Sequence, residues 1–308
     1  MKKLLTTILF ISHLSGRDYI DYLHPFHPTT SSNGMVVSQN ALSSNIGTQI
    51  LDMGGNAVDA AVAVGFSLAT TLPRAGNLGG GGFMLVYIKD KNEIFYIDYR
   101  SKSPRNSSIE KLLGTKKIPE RNSKLWERVD YTYLASGVPG TVYGLLEAHN
   151  NFGVLTLEQI MKPVIEQAEN GIVVSSDLNY VIDVTPQLRS DAESFSIFFD
   201  NGEPLKEFSI MKRPDLANTF IEISKHGAKG FYEGIVADKI VAAMEKNGGL
   251  ITHDDLKNYK SFFRMPIALN YKGHMVYTAG PPSGGGITLL TALAVSYTHL
   301  TLPTSDLV

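Results

Sequence analysis

The chain has 308 residues, 43% of them hydrophobic and 19% charged, with a formal net charge of −2 and no cysteine. That balance supports a large packed core in one big domain or two ordinary ones, and lies far from the charge-rich composition of disordered chains. It excludes thiolate catalysis, cysteine zinc sites and disulfides, and with no Lys/Arg-rich run it gives no footing to nucleic acid or an anionic membrane surface.

The first residues, Met1-Lys2-Lys3 followed by an apolar run from Leu4 to Ile11, have the pattern of a secretory signal peptide, although His13-Leu14-Ser15 is a poor cleavage site. The expectation is a signal peptide and linker over residues 1–33 and a periplasmic or secreted location. No later apolar run approaches the ~20 residues that span a bilayer, so no stable membrane span is expected. Met35–Ser38 reads as a short strand. Asn45–Met53 reads as a helix ended by Gly54-Gly55. Asn56 can cap the next helix, Ala57–Thr71, which Pro73 stops. Asp59 is its only charge, and a helix without a polar face belongs inside a layered fold.

Four glycines, Gly79–Gly82, then lead into two apolar strands, Phe83–Ile88 and Ile94–Tyr99, joined as a hairpin. Helical patterns follow at Thr141–Asn150, Leu157–Asn170, Ser176–Leu188, Pro214–Lys225 and Ile235–Lys246. Gly153, Gly171, Gly227 and Gly248 stand as cap glycines. Thr252 opens a short capped helix. Pro266–Tyr271 and His274–Thr278 form a second hairpin around Lys272-Gly273, and Pro281–Gly286 leads into a helix at Ile287. Mixed strands and helices make the class α+β or α/β. Residues 295–308 break the helical pattern in mid-face with no cap, and are expected to be a non-native tail on a domain spanning residues 34–294.

The motifs exclude more than they assert. Gly79–Gly82 precedes a strand and no Gly-Lys-Ser/Thr follows, so it is no phosphate loop. Neither glycine cluster forms a dinucleotide fingerprint, and no G-x-S-x-G elbow is present. His24 and His27 stand too close together for a metal pair. No cofactor and no metal is expected. The triplet Asn106-Ser107-Ser108 matches a glycosylation acceptor formally and by itself carries no weight. Consecutive glycines fit a tight helix-to-hairpin turn, which is compatible with a pocket wall. Arg100 ends an apolar strand beside Ser103-Pro104. Such an arginine is solvated, or paired with a neighbour such as Asp98, or placed to grip a carboxylate by two parallel hydrogen bonds.

Asp98-Tyr99-Arg100-Ser101-Lys102-Ser103-Pro104, following the helix and the glycine turn, resembles a stretch of the γ-glutamyltranspeptidase family. Further matching pieces are Gly137-Val138-Pro139-Gly140-Thr141, Ala168-Glu169-Asn170-Gly171, Gly227–Tyr232, Asn247–Thr252, Asp255–Tyr259 and Pro281–Gly286. Their order and spacing cover most of residues 34–294. The resemblance implies an N-terminal-nucleophile hydrolase-type αββα sandwich, here incomplete, as the large-subunit portion of a self-cleaving proenzyme. It implies that Arg100 contacts the α-carboxylate of glutathione or another γ-glutamyl amide. It implies a missing small subunit whose first residue is the nucleophilic threonine, with an acceptor amino acid, peptide or water completing the reaction. On that reading this chain holds no catalytic residue. Thr298-His299 comes too early and lacks a preceding threonine. The alternatives are an acylase of the same fold, of the β-lactam side-chain type, or a non-catalytic binding protein that kept the large-subunit fold.

Overall fold

Two asparagines open the helical layer. In the computed structural model, which describes residues 30–300 and side chains as far as residue 296, the Asn40 side chain accepts the Leu42 N–H and starts α1, Ala41–Asp52. Asn56 accepts from Val58 and Asp59 while Asp59 accepts the Asn56 N–H, and this complete capping box starts α2, Ala57–Thr71. The second helix has the bounds its sequence predicts. The first begins four residues before its expected start at Asn45. Its early turn is polar because it faces α2 through hydroxyls: buried Ser43 shares hydrogen bonds of 2.7 Å with both Ser67 and Thr71. The expected strand at Met35–Ser38 is absent as well. Val36 instead packs its side chain into the notch at Gly47, where an added Cβ would lie 2.7 Å from it.

Behind these helices stand α3, Thr141–Phe152, and α4, Leu157–Asn170. The next, α5, Ser176–Asp183, stops short of the expected Leu188, since Pro186 cannot donate to a continuing helix and disfavours helical backbone at Thr185; a 3-10 turn follows at Pro186–Ser190. Then come α6, Pro214–His226, α7, Gly234–Asn247, and α8, His253–Lys257, whose Thr252–Asp255 capping box is complete. Among the expected cap glycines, Gly248 is left-handed at φ 74, whereas Gly153 is not, at φ −72. The last helix is α9, Gly284–Leu300.

Strands β1, Phe83–Ile88, and β2, Glu93–Asp98, form the expected antiparallel hairpin, and β3, Phe262–Arg264, pairs antiparallel with β2. Alternation along these strands sends Met84, Val86, Phe95 and Ile97 toward the helices. It leaves Leu85, Tyr87 and Phe262 on the other face, exposed by 41%, 57% and 46%. The second hairpin, β4, Ile267–Tyr271, and β5, His274–Thr278, turns through Lys272 and Gly273, both at positive φ.

One core joins α1–α4, α6 and α7, with Ile50, Val62, Phe66, Val142, Ile160 and Phe220 fully buried; Phe66 meets Phe220 edge-on at 6.1 Å. A smaller cluster, including Val174, Ile182 and Met211, packs residues 172–211. All of this belongs to one compact unit that begins at Val36. The expected signal peptide, like residues 301–308 of the expected tail, lies outside the described residues.

Candidate functional site

The site is assembled from backbones that could not meet if they carried side chains. The Gly80 carbonyl accepts the N–H groups of Gly140 and Thr141 at 2.7 and 3.1 Å, and Gly82 exchanges hydrogen bonds with Tyr99. A Cβ on Gly81 would fall 2.4 Å from the Ser101 nitrogen, and one on Gly140 only 1.9 Å from the Tyr99 carbonyl oxygen. The glycine turn is therefore a docking groove for the end of β2. Lys102 and Val138 extend the contact as an isolated antiparallel bridge. Predicted motifs that lie far apart in sequence thus converge on residues 99–102.

Asp98 and Arg100 separate at this point. The Asp98 carboxylate is buried, at 5% exposure, and accepts from Arg264 Nε at 2.7 Å and from the Arg100 backbone N–H at 3.1 Å. It takes nothing from the Arg100 side chain. That guanidinium is exposed and has no hydrogen bond or ion pair among the described residues. It stands on the rim of a cleft of about 460 Å³, whose other lining residues include Ser101, Lys102, Leu113, Trp126 and Leu134.

The Arg100 carbonyl accepts the Tyr259 hydroxyl at 2.9 Å, and the Arg105 N–H donates to Asp255 Oδ1, also at 2.9 Å. The Tyr259 ring stacks on Tyr232 with centroids 5.7 Å apart and planes 6° from parallel, and Tyr143 meets both edge-on. Tyr232 is fixed in turn by donating to the Pro139 carbonyl at 2.8 Å. Burial raises the phenols of Tyr232 and Tyr259 above the usual tyrosine range and pushes Tyr99 up to about 12. Lys102 Nζ donates to the Lys260 carbonyl at 2.6 Å and lies over the rings of Tyr259 and Phe262. Burial lowers its pKa, partly offset by Asp98.

Of the residues singled out from sequence, Arg100, Gly79–Gly82, Gly137–Thr141, Gly227–Tyr232 and Asp255–Tyr259 come together here. No hydrogen bond among the described residues joins Pro281–Gly286 to this turn; that loop meets the sheet where the Tyr96 hydroxyl donates to the Gly280 carbonyl. Lys102 is visible in the sequence only inside the Asp98–Pro104 motif, with no role assigned to it, and Arg264 carries no sequence signal that points to this site. Tyr259 is visible in the sequence only as the end of a motif with no assigned role. Among the described residues no group of three or more His, Asp or Glu side chains could hold a metal ion, and none of the helices there is long and apolar enough to cross a membrane.

An antiparallel sheet backed by helices on one face, with a free arginine just past a strand end, makes an α+β architecture, and its structural neighbours give it the N-terminal-nucleophile-hydrolase type of fold. The crystal structure of Helicobacter pylori γ-glutamyltranspeptidase matches it with a TM-score of 0.81 and 36% identity, over 89% of this chain and 77% of that one. The family model described as Gamma-glutamyltranspeptidase matches residues 43–307, and the chain belongs to that family. It is 40% identical over 275 residues to the glutathione hydrolase proenzyme of Escherichia coli K12, covering 88% of this chain and 46% of the relative. The chain thus spans about half the length of the curated relatives it matches. Cephalosporin acylase from Bacillus halodurans is more distant, at 25% identity and a TM-score of 0.71, over 85% of this chain and 49% of that one. The acylase alternative is correspondingly less supported.

Proposed function

We propose that this chain is the large-subunit part of an exported proenzyme that hydrolyses or transfers the γ-glutamyl group of glutathione and related γ-glutamyl amides. In this reading Arg100 holds the α-carboxylate of the glutamyl donor. One observation carries the assignment: the guanidinium is unengaged on a cleft rim although a buried carboxylate lies two residues away, because Arg264 and a backbone N–H occupy that carboxylate. A planar cation kept free of internal partners is suited to a bidentate grip on an incoming carboxylate.

The chemistry belongs to the other half. The hydroxyl of the threonine at the start of the small subunit attacks the γ-carbonyl, its own α-amine taking the proton. The amide C–N bond breaks, and the amine leaves carrying that proton. Water, an amino acid or a peptide then attacks the ester and restores the hydroxyl, giving hydrolysis or transpeptidation. The exposed sheet face, with Leu85, Tyr87 and Phe262, and the adjoining cleft lined by Phe263, Met265, Met275 and Tyr277, supplies apolar surface for the small subunit. The basic start and apolar run at residues 1–11 support export.

The test uses the complete proenzyme and a chromogenic γ-glutamyl amide. Arg100→Ala raises KM by roughly ten-fold or more, the loss of a charge-assisted contact made in the ground state, and Arg100→Lys recovers only part of it. An unchanged KM in both variants removes Arg100 from the substrate site.

A further inference from the structure

The motif Asp255–Tyr259 carries no role in the reaction as described, yet both its ends close on the arginine turn. Arg100 lies two residues beyond the end of β2 at Asp98, so no sheet ladder holds its backbone. Its two peptide groups are held by side chains instead: the N–H by Asp98 at 3.1 Å and the carbonyl by the Tyr259 hydroxyl at 2.9 Å. Five residues on, the Arg105 N–H is held by Asp255. A single turn of helix plus its following residues thus grips residues 100–105 at both ends.

From this geometry we infer that Tyr259 is a positioning residue for the γ-glutamyl reaction, fixing the backbone of Arg100 through its hydroxyl while Asp255 anchors the far end of the same turn. The inference rests on the reading of Arg100 as the carboxylate-binding residue. The hydroxyl is aimed and has little freedom. Its ring is sandwiched against Tyr232 and edged by Tyr143. It reaches the turn past Gly140, where any Cβ would stand 2.3 Å from the phenolic oxygen. Its partner is a carbonyl, so it must donate, and burial keeps the phenol protonated across the neutral range. Lys102 repeats the pattern one step along, bonding the Lys260 carbonyl. Residues 98, 100 and 102 are thus each tied to the segment 259–264. A displaced arginine backbone misaligns a bidentate contact, and small misplacements of binding groups are costly in such sites.

The experiment compares Tyr259→Phe, Arg100→Ala and the double variant in the complete proenzyme, with KM, kcat and thermal unfolding measured for each. Tyr259→Phe deletes one hydroxyl and keeps the ring stack. The expected result is a KM raised by about five-fold, the equivalent of one hydrogen bond, with kcat held within about two-fold. In the Arg100→Ala background the same change adds nothing to KM, because the residue it positions is gone. A purely structural tyrosine would give effects that multiply in the double variant. That outcome overturns the inference, as does an unchanged KM for Tyr259→Phe when Arg100→Ala raises it. If Arg100→Ala itself leaves KM unchanged, the Arg100 assignment falls first and takes this inference with it.

Discussion

Asp98 determines what Arg100 is free to do. Two residues apart on an extended chain, their side chains point to the same side, and a local ion pair is the simplest expectation. The pair does not form because Arg264, diagonal to Asp98 across β2 and β3, reaches the carboxylate first. That competitor lies 166 residues away in sequence and no local pattern announces it. Arg100 can be singled out from its own neighbourhood; its freedom cannot. Gly140 is the other decisive position. A methyl group there would stand 1.9 Å from the Tyr99 carbonyl oxygen, so Gly140→Ala must push α3 and the arginine turn apart. It is expected to cost about 1–3 kcal/mol of stability, measured by denaturant unfolding, and to raise KM in the complete proenzyme. Wild-type stability with unchanged KM would contradict close packing at this contact.

At the level of elements, legibility follows the range of the signal. The bounds of α2 are readable because Asn56 and Pro73 are local stops, and the β4–β5 turn because Lys272-Gly273 is a local turn pair. The start of α1 is hidden because Ser43 acquires its meaning from Ser67 and Thr71, in the next helix. Gly153 does cap its helix, its N–H donating to the His149 carbonyl, but what requires a glycine there is close approach and not a left-handed turn: a Cβ would lie 2.6 Å from Asp59 Oδ1, the buried carboxylate that accepts the Val154 and Leu155 N–H groups. The tyrosines that brace the arginine turn, Tyr143, Tyr232 and Tyr259, come from three separate segments, and their meeting is tertiary. Their burial has a consequence in solution. Tyr99, Tyr232 and Tyr259 all ionise less readily folded than unfolded. Above a pH of about 10, the ordinary tyrosine value, the unfolded chain therefore loses protons that the folded chain keeps, and stability falls as pH rises toward 12. Below that window these phenols contribute no slope. Unfolding followed between the two limits should steepen with pH, and Tyr99→Phe should flatten it; an identical slope in the variant would contradict the burial of that phenol.

For the whole molecule, the one-sided covering of the sheet is the dominant fact. Helices cover the face bearing Val86 and Ile97, while on the other face Leu85, Tyr87 and Phe262 stay exposed around Tyr96, which is fully buried and tied to Gly280, and the Asp98–Arg264 pair. Exposed apolar side chains grouped on one sheet face fit the partner surface proposed above. Expressed alone, these 308 residues are expected to bind a hydrophobic dye and to release no chromophore from a γ-glutamyl amide. Co-expression with the remaining half of the proenzyme should abolish the dye binding and bring turnover. Turnover by the chain alone would overturn the assignment of the nucleophile to the other half.

Trp126 is the only indole in the 308-residue sequence, and it forms part of the wall of the cleft that Arg100 rims, its Nε1 donating to the Glu120 carbonyl. Intrinsic tryptophan emission from this polypeptide is consequently a local gauge of that wall, with no second fluorophore of its kind to dilute the reading. Quenching or a spectral shift on adding an anionic ligand would report occupancy of the arginine's own neighbourhood without any engineered label.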